Sequence, residues 1–508
     1  MADFLHKMSL QNFFLFLVSF ITLMIIIIQI IFPHGPKKKK LNLPPSPRKL
    51  PIIGNLHQIS SHPHRSLHAI SQKHGPIMLL HLGSVPTLVA SSSEAAQEIL
   101  KTQDLSFCSR PKFTIPGIIT YGCRDITMSP YGEYWRQLKS IAVLHLLSNS
   151  RVKSFEKVRE KEISRTIDIL EKSCGSLVDL SALLLSLSNN IICTVVMGRT
   201  YDGSKLVNLL NEFLDLLIVF SVGSLVPWLG WMDRVTGVVG RAEKHAKEFD
   251  EFLEGLIEDH VNKKRSGGHQ SSDDQEECLI GILLDLQKDN TVNFKIQRDS
   301  IKALILDIFA GGTDTIATTV EMAISELIRH PLTMKKLQQE VTEVAKGRPM
   351  IIDADLEKIS FLTAVVKETL RLHPPAPLLT PRVSTQDVKL MGYDIPKGTQ
   401  VFVNAWAIGR DPALWEDPNE FRPERFLNNS ITYKGQQFNW LPFGAGRREC
   451  PGIQFAVVAT ELVLANIVYR YDLALPDGFK DEDLDMNETC GIVVRRAFPL
   501  MVIPSARF

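Results

Sequence analysis

The segment Phe443-Gly-Ala-Gly-Arg-Arg-Glu-Cys-Pro-Gly452 sets one cysteine, Cys450, between a glycine-rich turn and a helix expected to begin near Gly452. Glycines permit positive φ and close approach of the backbone to a flat partner. The start of a helix brings backbone N–H groups toward the sulfur, which favours a thiolate. A thiolate can coordinate haem iron, and it pushes electron density that favours O–O cleavage. Gly444-x-Gly446 also has the form of the opening of a dinucleotide loop, but Glu449 occupies the sixth position and breaks that pattern. No nicotinamide or flavin fingerprint occurs in the chain, so electrons for a redox reaction must come from a partner.

Three further groupings carry chemical residue types. Glu368 and Arg371 share a helix face at i,i+3, and His373-Pro374-Pro375 ends that helix. Taken alone, such a pair is usually a surface ion pair. Ala310-Gly-Gly-Thr-Asp-Thr315 lies inside an apolar-periodic helix spanning roughly residues 301–329. Two adjacent glycines there cost about 1 kcal/mol each relative to alanine, so they imply either close helix packing or a helix loosened for a ligand. Tyr131-Gly-Glu-Tyr-Trp-Arg-Gln-Leu-Lys139 carries Trp135-Arg136, and Arg382 follows Pro381.

Together these segments resemble the cytochrome P-450 family. Phe443, Gly446, Arg448, Cys450 and Gly452 match its haem signature F-x-x-G-x-R-x-C-x-G, Glu368 and Arg371 its E-x-x-R, and residues 421–426 its P-E-R-F segment. From Gly311 the chain matches the oxygen-activation motif, except that Ile316 stands where Thr or Ser is usual. The resemblance runs from Leu43 to the end and is closest to the plant microsomal, specialised-metabolism branch. It implies haem b with Cys450 as metal ligand, and cofactor contacts from Trp135, Arg136, Arg382, Phe443, Arg448 and Gly452. Arginine's planar fork suits the two cofactor carboxylates. The resemblance also implies proton delivery by Asp314 and Thr315 and a structural network of Glu368, Arg371 and Arg425. Its pocket segments correspond to residues 113–121, 213–226, 302–315, 378–380 and 489–493.

The elements that must position these groups are mainly helical. Apolar residues recur at helical spacing, as in Leu206, Leu209, Leu210, Phe213, Leu214 and Leu217. The best strand-like run, residues 400–404, is expected to form a hairpin with residues 391–395 across the Pro396-Lys-Gly398 turn. The expectation is a mainly α fold with small β-sheets, the cytochrome P-450 fold, preceded by one N-terminal transmembrane helix. Residues 263–277 are polar and read as a loop. His57, His62, His64, His68 and His74 read as a solvated loop and helix face rather than a metal site.

With 508 residues, 44% of them hydrophobic, the chain can bury a large core and an apolar cofactor. A net charge of +1 gives no support for nucleic-acid binding. Seven cysteines, widely spaced and without C-x-x-C, argue against a disulfide framework and for a reducing compartment. Residues 13–32 contain only Ser19, Thr22 and Gln29 as polar members, long enough to cross a bilayer and too long for a cleaved signal peptide. Lysines follow at 37–40, which puts the downstream body in the cytosol. The N-x-S/T sites at Asn428 and Asn487 would then stay unglycosylated. The expected division is a lumenal N-terminus at 1–12, an anchor at 13–32, a basic and Pro-rich spacer at 33–50, and a cytosolic haem-binding catalytic domain at 51–508.

The resemblance implies a monooxygenase in the endoplasmic reticulum membrane. It would use dioxygen and electrons from NADPH-cytochrome P-450 reductase to hydroxylate a lipophilic plant metabolite, or to epoxidise, desaturate or couple it. Terpenoids, indole alkaloids and coumarins all fit an apolar pocket. Lys139 and Arg447 are candidate reductase contacts. A reductase-independent haem-thiolate isomerase or dehydratase is the alternative, against which the Asp314-Thr315 pair argues. A membrane-tethered binding protein is disfavoured by the same intact positions. A soluble metal hydrolase is disfavoured by the lack of H-E-x-x-H.

Overall fold

The computed structural model describes residues 10–31, 41–201, 204–219, 221–265, 278–289, 294–427, 429–476, 478–489 and 491–508. The lysines at 37–40, residues 266–277 of the polar stretch, Asn428 and Cys490 lie outside the described residues.

The chain begins with helix α1, Leu10–Ile31, whose side chains from Phe14 to Met24 are exposed. Its 22 residues extend about 33 Å at 1.5 Å per residue. Helix α2, Pro63–His74, opens on a proline at its first turn, where a missing N–H costs nothing. Strands β1 (Ile77–Leu82) and β2 (Val85–Ala90) pair antiparallel. Helix α3, Glu133–Ile141, buries Trp135 and Leu138. The short strand β3, Val178–Asp179, leads into helix α4, Leu180–Met197. The Asp179 side chain caps α4 by accepting from the Ala182 N–H, and left-handed Gly198 ends it.

Helix α5, Arg298–Arg329, is the 32-residue spine of the molecule. It has Asp299 in its first turn and Arg329 in its last, both favourable to the helix dipole. It is buried on most of its circumference, as expected of a helix through the middle of a large core. Helix α6, Ser360–Leu372, carries Glu368 and Arg371. The remaining strands are β4 (Arg382–Val383), β5 (Val388–Leu390), β6 (Tyr393–Ile395), β7 (Gln400–Val403), β8 (Tyr471–Ala474) and β9 (Met501–Ala506). Helix α7, Ile453–Arg470, follows the cysteine loop directly. By length and composition alone α4, α5 and α7 could each cross a membrane, yet all three contribute to one shared core that includes Leu184, Ile192, Phe309, Val320 and Leu462.

Three small sheets complete the mainly α fold. The four-stranded sheet has the order β1-β2-β7-β4, with β7 parallel to β2 and antiparallel to β4. Strands β5 and β6 make a two-stranded sheet, and β3-β9-β8 a three-stranded one. The hairpin expected between residues 391–395 and 400–404 does not form. Met391 and Gly392, both with positive φ, turn the chain one strand earlier, so 388–390 pairs with 393–395. Residues 400–403 join β2 instead, where Val401 and Val403 are buried.

The histidine cluster is a solvated face only in part: His57 is exposed, and His62, His68 and His74 are half-buried. His64 is buried, with Nε2 3.4 Å from Glu488, and the His62 ring pairs with the Glu488 carbonyl at 2.7 Å. Among the described residues no cluster of His, Cys, Asp and Glu could hold a metal ion.

At the end of α6 the Glu368 carboxylate is wholly buried between two guanidiniums. Arg371 donates to it at 2.7 and 2.8 Å, Arg425 at 2.9 Å and the Arg422 N–H at 2.8 Å. Arg371 also donates to the carbonyls of Gly409, Pro418 and Glu420. Glu368→Gln keeps the shape but leaves buried Arg371 and partly buried Arg425 without their counter-charge. It is expected to lower unfolding stability by roughly 3–5 kcal/mol, measured by denaturant titration, and a loss below about 0.5 kcal/mol would show that the cluster does not need the charge.

Candidate active site

Residues 443–452 form a tight loop before α7. The Cys450 N–H donates to the Phe443 carbonyl at 3.0 Å, and Gly446–Arg448 makes one 3₁₀ turn. Gly446 has φ of +71°, and a Cβ there would meet the Leu100 carbonyl oxygen at 2.1 Å, so no other residue fits. The loop is held from outside as well. Asp104 accepts from the Arg447 N–H at 3.1 Å and from its guanidinium at 2.9 Å. Arg371 stacks on Trp415, and aromatic contacts run from Trp415 through Phe426, Trp440 and Tyr433 to Phe443. The Glu368 clamp is thereby coupled to the start of the cysteine loop.

The loop closes one part of an interior cavity of about 330 Å³. Cys450, Gly452 and Phe443 line it together with Gly311, Gly312 and Thr315 of α5. Apolar walls come from Ile126, Val195, Leu304, Ile308, Leu370 and Leu379. The Cys450 sulfur is accessible to this space, while the surrounding protein still desolvates it. Burial pushes the thiol up, against the pull of the Gly452 N–H and Lys139. The helix start does act on the sulfur, but a positively charged ligand is needed to hold it as thiolate.

The two glycines of α5 have different reasons. A Cβ on Gly312 would stand 2.5 Å from Ile192 Cδ1, so Gly312 admits α4. A Cβ on Gly311 would meet nothing within 4 Å, so that position leaves room in the cavity. The helix stays α throughout, so the glycines do not loosen it. The Thr315 hydroxyl donates to the Gly311 carbonyl at 2.6 Å.

Four cations line the same cavity: Arg110, Lys139, Arg382 and Arg448. Arg448 donates to the carbonyls of Cys108, Ile126 and Ser129 and lies 4.1 Å from the Trp135 ring centroid. Burial pulls its pKa down to about 10. Arg110 donates to the carbonyls of Thr127, Thr380 and Pro381, and burial lowers it as well. Among the described residues neither guanidinium is within salt-bridge distance of a carboxylate. Arg382 pairs with Asp104 at 3.1 Å. Lys139, brought down to about 8 by burial, donates to the carbonyls of Arg447 and Glu449. Desolvated, under-compensated positive charge beside an apolar cavity suits an apolar ligand bearing carboxylates. A haem b with its two propionates fits this donor set, with the cysteine sulfur available to iron.

The scan against protein families matches the description "Cytochrome P450" over residues 44–502. The chain belongs to the cytochrome P450 family. It is 58% identical over 501 residues to "Cytochrome P450 Tp4149" of Tanacetum parthenium, covering 99% of each chain. A "3-beta-hydroxylase" of the same plant is 50% identical, covering 98% of this chain and 100% of the relative. "Norfluorocurarine oxidase" of a Strychnos species is 51% identical, covering 91% and 92%. A zebra fish cytochrome P450 solved with abiraterone superposes with a TM-score of 0.73 at 24% identity, covering 88% of this chain and all of that one, and shares the fold. As a P450, the protein is a haem b monooxygenase that takes dioxygen, electrons from a redox partner and a lipophilic substrate.

Two of the residues expected at the site of this P450 stand elsewhere. Arg136 is exposed, pairs with Glu133 and does not line the cavity. Successive residues on a helix diverge by about 100°, so Arg136 cannot share the face of buried Trp135. Lys139, four residues on, does share it, and its ammonium lies 5.3 Å from the Trp135 ring centroid. The i,i+4 spacing was the signal available for it. Lys139 therefore faces the cavity rather than serving as a free contact for a reductase, while Arg447 remains half-exposed. Asp314 is buried away from the cavity and lies 3.3 Å from Arg495. Trp135 lines the cavity and donates from Nε1 to the Ile126 carbonyl at 3.0 Å.

Sequence reasoning missed Arg110, which no motif marks, and Asp307, one turn before Gly311. Asp307 accepts from the Ile126 N–H at 2.6 Å and the Thr127 hydroxyl at 2.8 Å. Burial raises both Asp307 and its neighbour Asp125. Of the expected wall segments, 302–315 and 378–380 contribute to this cavity. Among the described residues, 113–121, 213–226 and 489–493 do not.

Next to the loop, Tyr433 donates to Glu461 at 3.0 Å, and burial pushes Glu461 up to about 7. A carboxyl whose folded pKa is raised binds its proton more tightly folded than unfolded, so stability falls as pH rises from the ordinary glutamate range through about 7. Glu461→Gln is expected to flatten that part of the melting-temperature profile relative to wild type, and unchanged slopes in the two proteins would contradict the assignment.

Proposed function

We propose that this P450 is a single-pass enzyme of the endoplasmic reticulum membrane, its catalytic body cytosolic, with Cys450 as the iron ligand. Its electrons come from an NADPH-dependent P450 reductase, and its substrate is a lipophilic plant specialised metabolite such as a terpenoid, an indole alkaloid or a coumarin. The observation that carries this reading is the Cys450 sulfur sharing one apolar cavity with Gly311, Thr315 and a set of buried cations. The apolar helix Leu10–Ile31 supports the anchor, and the lysines at 37–40 support the orientation. Relatives named as a hydroxylase and an oxidase support oxidation of a plant metabolite. The division into a lumenal start, anchor, spacer and catalytic domain follows from the same features.

When bound, haem b supplies oxygen activation at an iron made electron-rich by the thiolate. The chain's own residues do the rest. Phe443, Gly452 and the rigid loop fix the sulfur. Arg448 and Arg382, joined by Arg110 and Lys139, would hold the cofactor carboxylates, with the Trp135 ring packed against the Arg448 guanidinium. Gly311 leaves the cavity open beside Thr315. The Thr315 hydroxyl holds a proton at the cavity wall, and Asp314 resupplies it; delivery by positioned groups contributes about 10²–10⁴-fold. The apolar walls orient the substrate and exclude water.

The test is product mass in membranes that also carry a plant reductase, with a mixed panel of terpenoids, alkaloids and coumarins. An NADPH-dependent gain of one oxygen, or loss of two hydrogens, is the expected result. Conversion that proceeds equally well without NADPH would contradict the reading. Thr315→Ala is expected to keep haem and substrate binding while product falls about 10²-fold and NADPH consumption continues; full coupling in that variant would remove Thr315 from the proton path.

A further inference from the structure

Pro374 and Pro375 follow α6 almost at once and carry no N–H, so a backbone ladder cannot seat the chain here. Pro375, Ala376, Leu379 and Thr380 nevertheless wall the cavity. The Val494 N–H donates to the Pro375 carbonyl at 2.9 Å and the Trp406 N–H to the Pro377 carbonyl at 3.2 Å, while the Leu379 N–H donates to the Ala376 carbonyl at 3.1 Å. Val494 lies in a turn whose ends, Glu488 and Arg496, bridge each other. The wall thus hangs between the end of α6, at His373, and the turn that begins at Glu488.

The His373 side chain joins those two supports. Its Nε2 is 2.7 Å from Glu326 of α5, and its Nδ1 is 3.8 Å from Glu488. The three side chains are 10%, 4% and 2% exposed. Carboxylates only accept hydrogen bonds, and a neutral imidazole has one N–H. A neutral ring would therefore turn a lone pair toward one of the two acids, whereas an imidazolium presents an N–H to each. Burial works against the charged ring, but the two carboxylates outweigh it and hold its pKa above the ordinary histidine value. Burial likewise pushes both acids up, and their cationic neighbours, His373 among them, bring both below the usual glutamate range.

Other charges face the pair from every side. On α5, Arg329 and His330 lie 3.3 and 3.4 Å from Glu326. On α2, Arg65 and His64 lie 2.7 and 3.4 Å from Glu488. Arg410 stacks on Trp406 at 4.2 Å and opposes the charge on His373, with Arg371 of α6 behind it. Arg496, at the far end of the turn, is engaged with Ser325 and Glu321. Arg65 is half-exposed and Arg329 a third exposed, so His373 is the buried cation that meets both acids.

We propose that His373 is a positioning residue, a buried imidazolium that ties Glu326 to Glu488 and so seats the wall segment 374–380 against the cavity. Loss of its proton leaves two buried carboxylates facing a neutral ring. The turn at Glu488 then parts from the end of α6, and the wall that hangs between them loosens while the helical core stays closed. A group whose folded pKa is raised adds stability below its unfolded value and loses it as pH rises through the folded one. The wall is therefore firm in acid and neutral solution and loosens on the alkaline side of the ordinary histidine range.

The experiment is hydrogen exchange on the full-length, haem-loaded enzyme across the neutral to alkaline range, with each amide corrected for its intrinsic rate. The amides read are Val494, Trp406 and Leu379, which report the wall directly, and those of α5, which report the core. Wild type is expected to lose protection at the three wall amides as pH rises, with α5 unchanged. His373→Gln is expected to stay at the wild type's alkaline level at every pH. Glu326→Gln removes a charge that favours the imidazolium, so the transition moves to lower pH. Wall protection that does not change with pH in wild type, or a transition that α5 shares equally, would overturn the proposal. So would a transition retained in His373→Gln or left in place in Glu326→Gln. Wild type and Glu326→Gln decide the question even where His373→Gln does not fold.

Discussion

Glu368 has no solvent contact and two arginines on it. A buried carboxylate is tolerable only when its charge is matched and its lone pairs are filled, and here Arg371, Arg425 and the Arg422 N–H do both. The same arginines reach the carbonyls of 409, 416, 418 and 420, so the irregular chain after β7 is fastened to α6. From there packing takes over. The aromatic run from Trp415 to Phe443 carries that rigidity to the loop that bears Cys450, and Gly446 seats the loop against Leu100 with no room for adjustment. A metal–sulfur bond needs its ligand placed within fractions of an ångström, and on an irregular segment only such external bracing can provide that.

The cavity combines two opposed demands. Its walls are apolar enough to receive a lipophilic ligand, yet Arg110, Arg382, Arg448 and Lys139 all border it. Desolvation lowers each of their pKa values, and for Arg110 and Arg448 backbone carbonyls rather than carboxylates satisfy the N–H groups. Such an arrangement stores unfavourable positive charge until anionic groups arrive. It follows that the protein without cofactor is electrostatically strained at this edge, and that haem binding and stability of the fold are coupled.

The contiguous motifs were the legible part of the site. Residues 443–452 and the pair Glu368–Arg371 are short-range patterns whose geometry follows from local backbone, so their place in the fold could be anticipated. Orientation on a helix was legible only where periodicity was applied. The family resemblance implied Arg136, but 3.6 residues per turn put Lys139 on the face of Trp135. The same geometry separates Asp314 from the cavity that Thr315 lines. Contacts over long sequence distances were not legible. Arg110 meets the carbonyls of 380 and 381, Arg495 meets Asp314, and His64 meets Glu488 because of the tertiary fold, and no local pattern marks them. In the sheets, the Pro396-Lys-Gly398 turn was read correctly as a turn, but the partner of β7 is β2, more than three hundred residues earlier. The mainly helical character was legible from apolar periodicity, as in Leu206 to Leu217, because it depends on local spacing alone.

The central claim is that the Cys450 sulfur, braced by this network, is the atom that would hold the iron. Iron X-ray absorption on the haem-loaded wild type and on Cys450→His tests it most directly, because sulfur and nitrogen scatterers differ in both distance and amplitude. The account predicts one sulfur ligand on iron in the wild type and its replacement by nitrogen in the variant. A sulfur scatterer that persists in Cys450→His, or none in the wild type, would contradict it.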